Sequence, residues 1–254
     1  MVTPVQFMKQ YRNLGINAVQ DDAVAQVCRD VTYTVQLKTY FMMNWTSGSE
    51  QSNDYNTVVR GAKQDQWGSQ HREFIRNAAM GKGSPRDYKA ALDWAVLSGK
   101  IRNVNQSSIQ KYCDNHLGID CSGLVTNYLI ANNRLAYSAS KVRNTNAASY
   151  FDQAKAQADP MKIKQGDLLV WMDGSRVKRS PGHIAIVESY VPQCRPGGNM
   201  RVVEATGTRA ALPRLLDSMY SVEKIQDKTA RSPMVLTVKR HGKSGSRVAV
   251  IRPV

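Results

Sequence analysis

The stretch HLGIDCSGLVTNYLI, residues 116–130, decides how this chain is read. Small and polar residues run up to Asp120, and from Cys121 the apolar positions Leu124, Val125, Tyr128 and Leu129 take helical spacing. A helix therefore starts at Cys121. A thiol there meets unpaired backbone N–H groups and the positive end of the helix dipole, and both favour thiolate. The same N–H groups suit the oxyanion of a tetrahedral intermediate. By itself, a cysteine ahead of a helix is more often a small buried residue, so a nucleophile at Cys121 requires a base elsewhere in the chain.

After residue 160 the texture turns to short β-branched runs separated by Gly, Pro, Ser or Lys. GDLLVWM (166–172), HIAIVESYV (183–191), MRVVEA (200–205), MVLTVK (234–239) and RVAVIR (247–252) are expected strands, the last two joined by the turn-like HGKSGS (241–246) into a hairpin. His183 opens one of these strands, where its ring can face the start of the Cys121 helix. An imidazole so placed removes the thiol proton and later protonates a leaving amine. Glu204, on the next strand, can accept a hydrogen bond from the other ring nitrogen and fix the tautomer.

Three ordered runs, Asp120-Cys121-Ser122-Gly123-Leu124-Val125, then Gly166-Asp167-Leu168-Leu169 ahead of Gly182-His183-Ile184-Ala185-Ile186-Val187, then Val202-Val203-Glu204-Ala205, resemble the motifs of NlpC/P60 cysteine peptidases. The resemblance covers roughly residues 85–254. It implies a papain-like α+β fold, with the nucleophile helix packed on an antiparallel sheet that carries the base and its orienting residue. It implies Cys121 as nucleophile, His183 as base and Glu204 in the third position, where the family usually has histidine, asparagine or glutamine. Asp120 and Ser122 would face substrate, the aspartate attracting an amino group, and Tyr112 is the nearest match to a tyrosine that often lines such sites. The activity implied is hydrolysis of an amide in peptidoglycan stem peptides, usually between D-glutamate and the diamino acid, with no cofactor. The same dyad would serve a protease, deamidase or acyltransferase acting on a host protein, and the fold without turnover would serve as a binding module.

Of 254 residues, 42% are hydrophobic and 22% charged, the composition of a folded globular protein. Residues 1–120 carry 14 Lys+Arg against 11 Asp+Glu and residues 121–254 carry 21 against 9, so +12 of the net +15 lies in the half with the three motifs. That half should prefer an anionic partner such as the bacterial wall. No Lys/Arg run or nucleic-acid module accompanies the charge, so nucleic acid is not an expected partner. No segment is long and apolar enough to span a membrane. Cys113, His116 and Cys121 with Asp114 or Asp120 lack the paired spacing of a zinc site, and His71 and His241 lie elsewhere. The four cysteines, Cys28, Cys113, Cys121 and Cys194, show no disulfide framework, and free thiols are expected.

The first hundred residues read as helical. Val24, Val27, Cys28, Val31 and Val35 fall at three-and-four spacing after Asp21, Phe74, Ile75 and Ala78 suggest a shorter helix, and Ser84-Pro85 starts a third that Gly99 ends. TSGSEQSNDYN (46–56) reads as a loop, and the cluster from Tyr40 to Trp45 as core. The expected organisation is a helical N-terminal extension, 1–83, before a catalytic domain, 84–254. MVTPVQFMKQYRNLG lacks the basic and apolar regions of a secretory signal. A wall-cutting enzyme of that kind is expected to be made in the cytoplasm and delivered to a rival's periplasm by a specialised machine such as type VI secretion, with a cognate immunity protein, or to be a lysin released through a holin.

Overall fold

In the computed structural model, which describes residues 1–22, 27–39, 58–64, 66–179, 182–193, 197–206, 214–230 and 232–253, the strands expected after residue 160 close on themselves. The strands are β3 (Leu168–Asp173), β4 (Arg176–Val177), β5 (Ile184–Pro192), β6 (Gly198–Glu204), β7 (Leu216–Gln226), β8 (Val235–Arg240) and β9 (Ser246–Ile251). All neighbours are antiparallel, β4 extends β3 as a short hairpin, and β9 pairs back onto β3 from Leu168↔Ile251 to Trp171↔Val248. The result is a six-stranded antiparallel barrel, a closure that leaves none of the six with an open edge.

Side chains alternate across a strand, so every second residue points inward. Leu169, Ala185 and Val187, Met200 and Val202, Val222, Leu236 and Val238, and Val248 and Val250 form the apolar filling. The outward faces of β3 and β5 are buried as well, through Leu168, Val170, Ile184 and Ile186. Helix α6 (Cys121–Ala131) packs against β5 and is buried nearly all round, as a helix without an amphipathic stripe must be. Its Leu124, Val125 and Leu129 are at most 3% exposed, each burial worth roughly 1.5–3 kcal/mol. Thr126 and Asn127 answer to the helix itself, donating to the Ser122 and Gly123 carbonyls at 2.6 and 2.9 Å.

The Gly166-Asp167 turn ahead of β3 is built for structure. Gly166 has φ +83°, and a Cβ there would come within 2.8 Å of the Arg134 guanidinium and 3.0 Å of the Tyr128 hydroxyl. Asp167 is fully buried and accepts both arms of Arg252 at 3.0 and 2.9 Å and the Lys164 N–H at 3.0 Å, tying the turn to the chain after β9.

The chain divides into two compact units: Met1–Met8, Cys121–Thr206 and Leu215–Val254 contain the barrel and α6, and Lys9–Asp120 with Gly207–Arg214 make the other. The boundary expected at 83/84 falls inside the second unit. Helix α1 (Pro4–Arg12) begins in the first and ends in the second. The second unit then holds β1 (Leu14–Asp22), β2 (Val27–Val35), α2 (Gln66–Gln70), α3 (Arg72–Ala79), α4 (Pro85–Leu97) and α5 (Gln106–His116).

The helix expected from Asp21 through Val35 is not formed: these residues belong to an antiparallel hairpin, β1 on β2, in register from Leu14↔Val35 to Asp22↔Val27. Spacings of four and eight fit both periods, so Val27, Val31 and Val35 line one face of a helix or of a strand equally well. The β-branched and aromatic content of VCRDVTYTV favours the strand. Helix α4 forms as expected, with Ser84 and Asp87 in a reciprocal capping box, Pro85 in the first turn, and Tyr88, Leu92 and Ala95 buried. The loop 46–56 and the cluster Tyr40 to Trp45 lie outside the described residues. Among those described, no helix is long and apolar enough to cross a membrane.

Candidate active site

Four of the barrel's inward rows end in polar groups at one mouth. His183 stands before Ala185 and Val187, Glu204 follows Met200 and Val202, Ser218 and Tyr220 precede Val222, and Arg240 follows Leu236 and Val238. Because β5, β6, β7 and β8 are successive neighbours, these side chains meet across adjacent strands. Packing of α6 on β5 brings Cys121, the first residue of that helix, to the same place.

The His183 ring is held on both sides. Its Nε2–H donates to Glu204 Oε2 at 3.0 Å, and the Cys121 thiol at the head of α6 also acts on the ring. Trp171 approaches it edge-on, 4.4 Å between ring centroids, on the strand paired with β5. Burial works against the imidazolium, but the hydrogen bonds to Cys121 and Glu204 and their negative charge outweigh it and push the His183 pKa up to about 9. The site thus favours the protonated imidazole.

Glu204 is 1% exposed, and a bare carboxylate so buried would be untenable. Its Oε1 accepts from Ser218 Oγ at 2.6 Å, Arg240 Nη1 at 2.9 Å and the Tyr220 hydroxyl at 3.1 Å. Oε2 faces His183 and also takes the Tyr220 hydroxyl at 3.2 Å. Burial would raise the Glu204 pKa, but His183, then Ser218 and Arg240, overcome it and hold the carboxyl below its ordinary value. Burial and the charge of Glu204 push the Tyr220 phenol upward, so it remains a neutral donor.

Cys121, His183 and Glu204, singled out in the sequence, are therefore brought together. The three residues expected to face substrate make the following contacts. Ser122 is 3% exposed and its hydroxyl donates to the Thr145 carbonyl at 3.1 Å, since the second residue of a helix buried all round points into packing. Asp120 is in the second unit and its carboxylate meets the Lys82 ammonium at 2.6 Å, both side chains under 10% exposed. The amino group it attracts belongs to this chain. Tyr112, on α5 in the second unit, stacks at a tilt on His116 with centroids 4.5 Å apart. Sequence reasoning missed Ser218, Tyr220, Arg240 and Trp171. The period-2 pattern of LDSMYSVEKIQ could have exposed the first two, but a serine inside and charges outside blur it.

Cys113 and Cys121 are free thiols, and among the described residues no group of three or more His, Cys, Asp or Glu side chains is gathered so as to hold a metal ion. Compared with protein-family models, with curated proteins and with solved structures, the chain matches none.

Proposed function

We propose that this protein is a cysteine-dependent hydrolase of the NlpC/P60, papain-like kind, cleaving an amide bond in peptidoglycan stem peptides through an acyl-enzyme on Cys121. The observation that carries the reading is one imidazole, His183, held at 3.0 Å by the buried Glu204 carboxylate and close enough to the Cys121 thiol to feel its charge. Such a set suits acyl transfer. The Cys121 sulfur attacks the amide carbon, the first-turn N–H groups of α6 face the developing oxyanion, and His183 passes its proton to the departing amine. The bond between D-glutamate and the diamino acid is the target that the three motifs favour. The surplus of cations in residues 121–254 suits an anionic wall, and the reading extends to a toxin acting in the periplasm of a target cell with an immunity protein as its partner.

The test is incubation of wild-type and Cys121→Ala protein with peptidoglycan sacculi, followed by chromatography and mass analysis of what is released. Wild type should release stem-peptide fragments whose new termini name the bond, and Cys121→Ala should be slower by at least about 10³-fold. Directed to the periplasm, wild type alone should lower viability. No fragments from either protein on several wall chemotypes, with Cys121 reduced, rule the wall reading out, and toxicity confined to the cytoplasm would transfer the dyad to a protein substrate.

A further inference from the structure

We infer that Arg240 is a positioning residue of this site: by pinning and charge-balancing Glu204 it lets His183 release its proton during turnover. The Glu204 carboxylate is divided between two tasks. Oε1 is saturated by fixed donors, Ser218 Oγ at 2.6 Å and the Tyr220 hydroxyl at 3.1 Å from β7 and Arg240 Nη1 at 2.9 Å from β8, and Oε2 is presented to His183. Of those donors only Arg240 carries charge. Its side chain is 19% exposed and Glu204's 1%, so the pair is poorly screened by water.

The need for that charge appears in the second half of the reaction. To clear the acyl-enzyme, a water oxygen bonds to the acyl carbon, its proton passes to Nδ1 of neutral His183, and the bond to Cys121 Sγ breaks to restore thiolate beside imidazolium. Before that step His183 is neutral, and Glu204 is then a buried anion with Arg240 as its one charged partner among the described residues. Without Arg240 the His183–Glu204 couple, whichever member holds the proton, would bind it more tightly and stay protonated when a base is required. The groups facing this couple are Cys121 from α6, Trp171 from β3, Ser218 and Tyr220 from β7, and Arg240 from β8. Ser218 and Tyr220 contribute no charge, because the phenol is held neutral by burial and by Glu204.

The consequence for turnover rests on the thiol-hydrolase reading, but the measurement needs no substrate. In a Cys121→Ala background, the imidazole of His183 is titrated by NMR with Arg240 intact, with Arg240→Gln, which keeps a donor for Oε1 and removes the charge, and with Arg240→Lys, which keeps the charge. The expected result is a midpoint raised by about one pH unit in the glutamine variant and moved by less than about 0.3 unit in the lysine variant. In the protein with Cys121 present, kcat on wall substrate should fall below the raised midpoint while KM holds. A glutamine variant that titrates with the parent, or glutamine and lysine variants displaced equally, overturns the inference whether or not the wall is the substrate. Should the glutamine variant not fold, the lysine variant decides, since a midpoint moved by about a unit there would mean that geometry and not charge is what Arg240 supplies.

Discussion

Cys113 and Cys121 sit on successive helices and differ in everything but their side chain. Cys113 is fully buried, and burial together with the charge of Asp114 pushes its thiol up to about 12. Cys121 is partly exposed, at the head of α6, and hydrogen-bonded to His183. Thiolate is the reactive species. In the folded protein at neutral pH, iodoacetamide should therefore modify Cys121 at least about 10²-fold faster than Cys113, the difference vanishing in denaturant, with peptide mass mapping as the readout. Comparable rates in the native state would mean that the imidazole does not activate Cys121. Cys121 and His183 were legible in the chain because each occupies a motif with local character, a helix start and a strand start. Arg240 was not, because an arginine at the end of a strand looks like any solvated cation until the neighbouring strands place a carboxylate against it.

Helix α4 shows how much a local signal can specify. Ser84, Pro85 and Asp87 form a complete helix start, with the Ser84 N–H donating to Asp87 at 2.8 Å and the Asp87 N–H to the Ser84 hydroxyl at 3.3 Å. Packing then alters the chemistry of the cap. Asp87 is 4% exposed, and burial, set against hydrogen bonds from Ser84 and Asn77, pushes its carboxyl up to about 6. A carboxyl with a raised folded-state pKa contributes stability that is full below its unfolded value near 4 and is lost as pH rises through about 6. Asp87→Asn removes the titration and keeps an acceptor for Ser84. Its stability relative to wild type should thus improve by roughly 2–3 kcal/mol between pH 4 and pH 7, measured as the shift of urea midpoints at each pH. A difference that does not vary with pH would show that folding leaves the proton affinity of the Asp87 carboxyl unchanged. The hairpin β1–β2 is the opposite case. Valines four residues apart satisfy two periodicities, and pairing of Leu14, Ile16 and Ala18 with Val35, Tyr33 and Val31 selects between them.

The net charge of +15 is a property of the entire chain, concentrated in residues 121–254. Exposed charges act over about 8–10 Å at ordinary salt and are screened beyond it. If the proposed attraction to an anionic wall is electrostatic, co-sedimentation of Cys121→Ala protein with sacculi should weaken at least about threefold between roughly 50 and 300 mM salt. Retention that ignores salt would assign binding to neutral contacts instead.

The start of α6 at Cys121 and most strands of the barrel were readable from residues 116 onward, because each depends on interactions between near neighbours in the chain: caps, periodicity and turn residues. Closure of β9 onto β3, the meeting of four strand ends at one mouth and the shared hold of Ser218, Tyr220 and Arg240 on Glu204 arise from pairings between residues far apart in sequence. Burial decided those. An ionised carboxylate has to be surrounded by donors once water is excluded, and which donors surround Glu204 is a matter of strand order and register, which no local stretch of the chain contains.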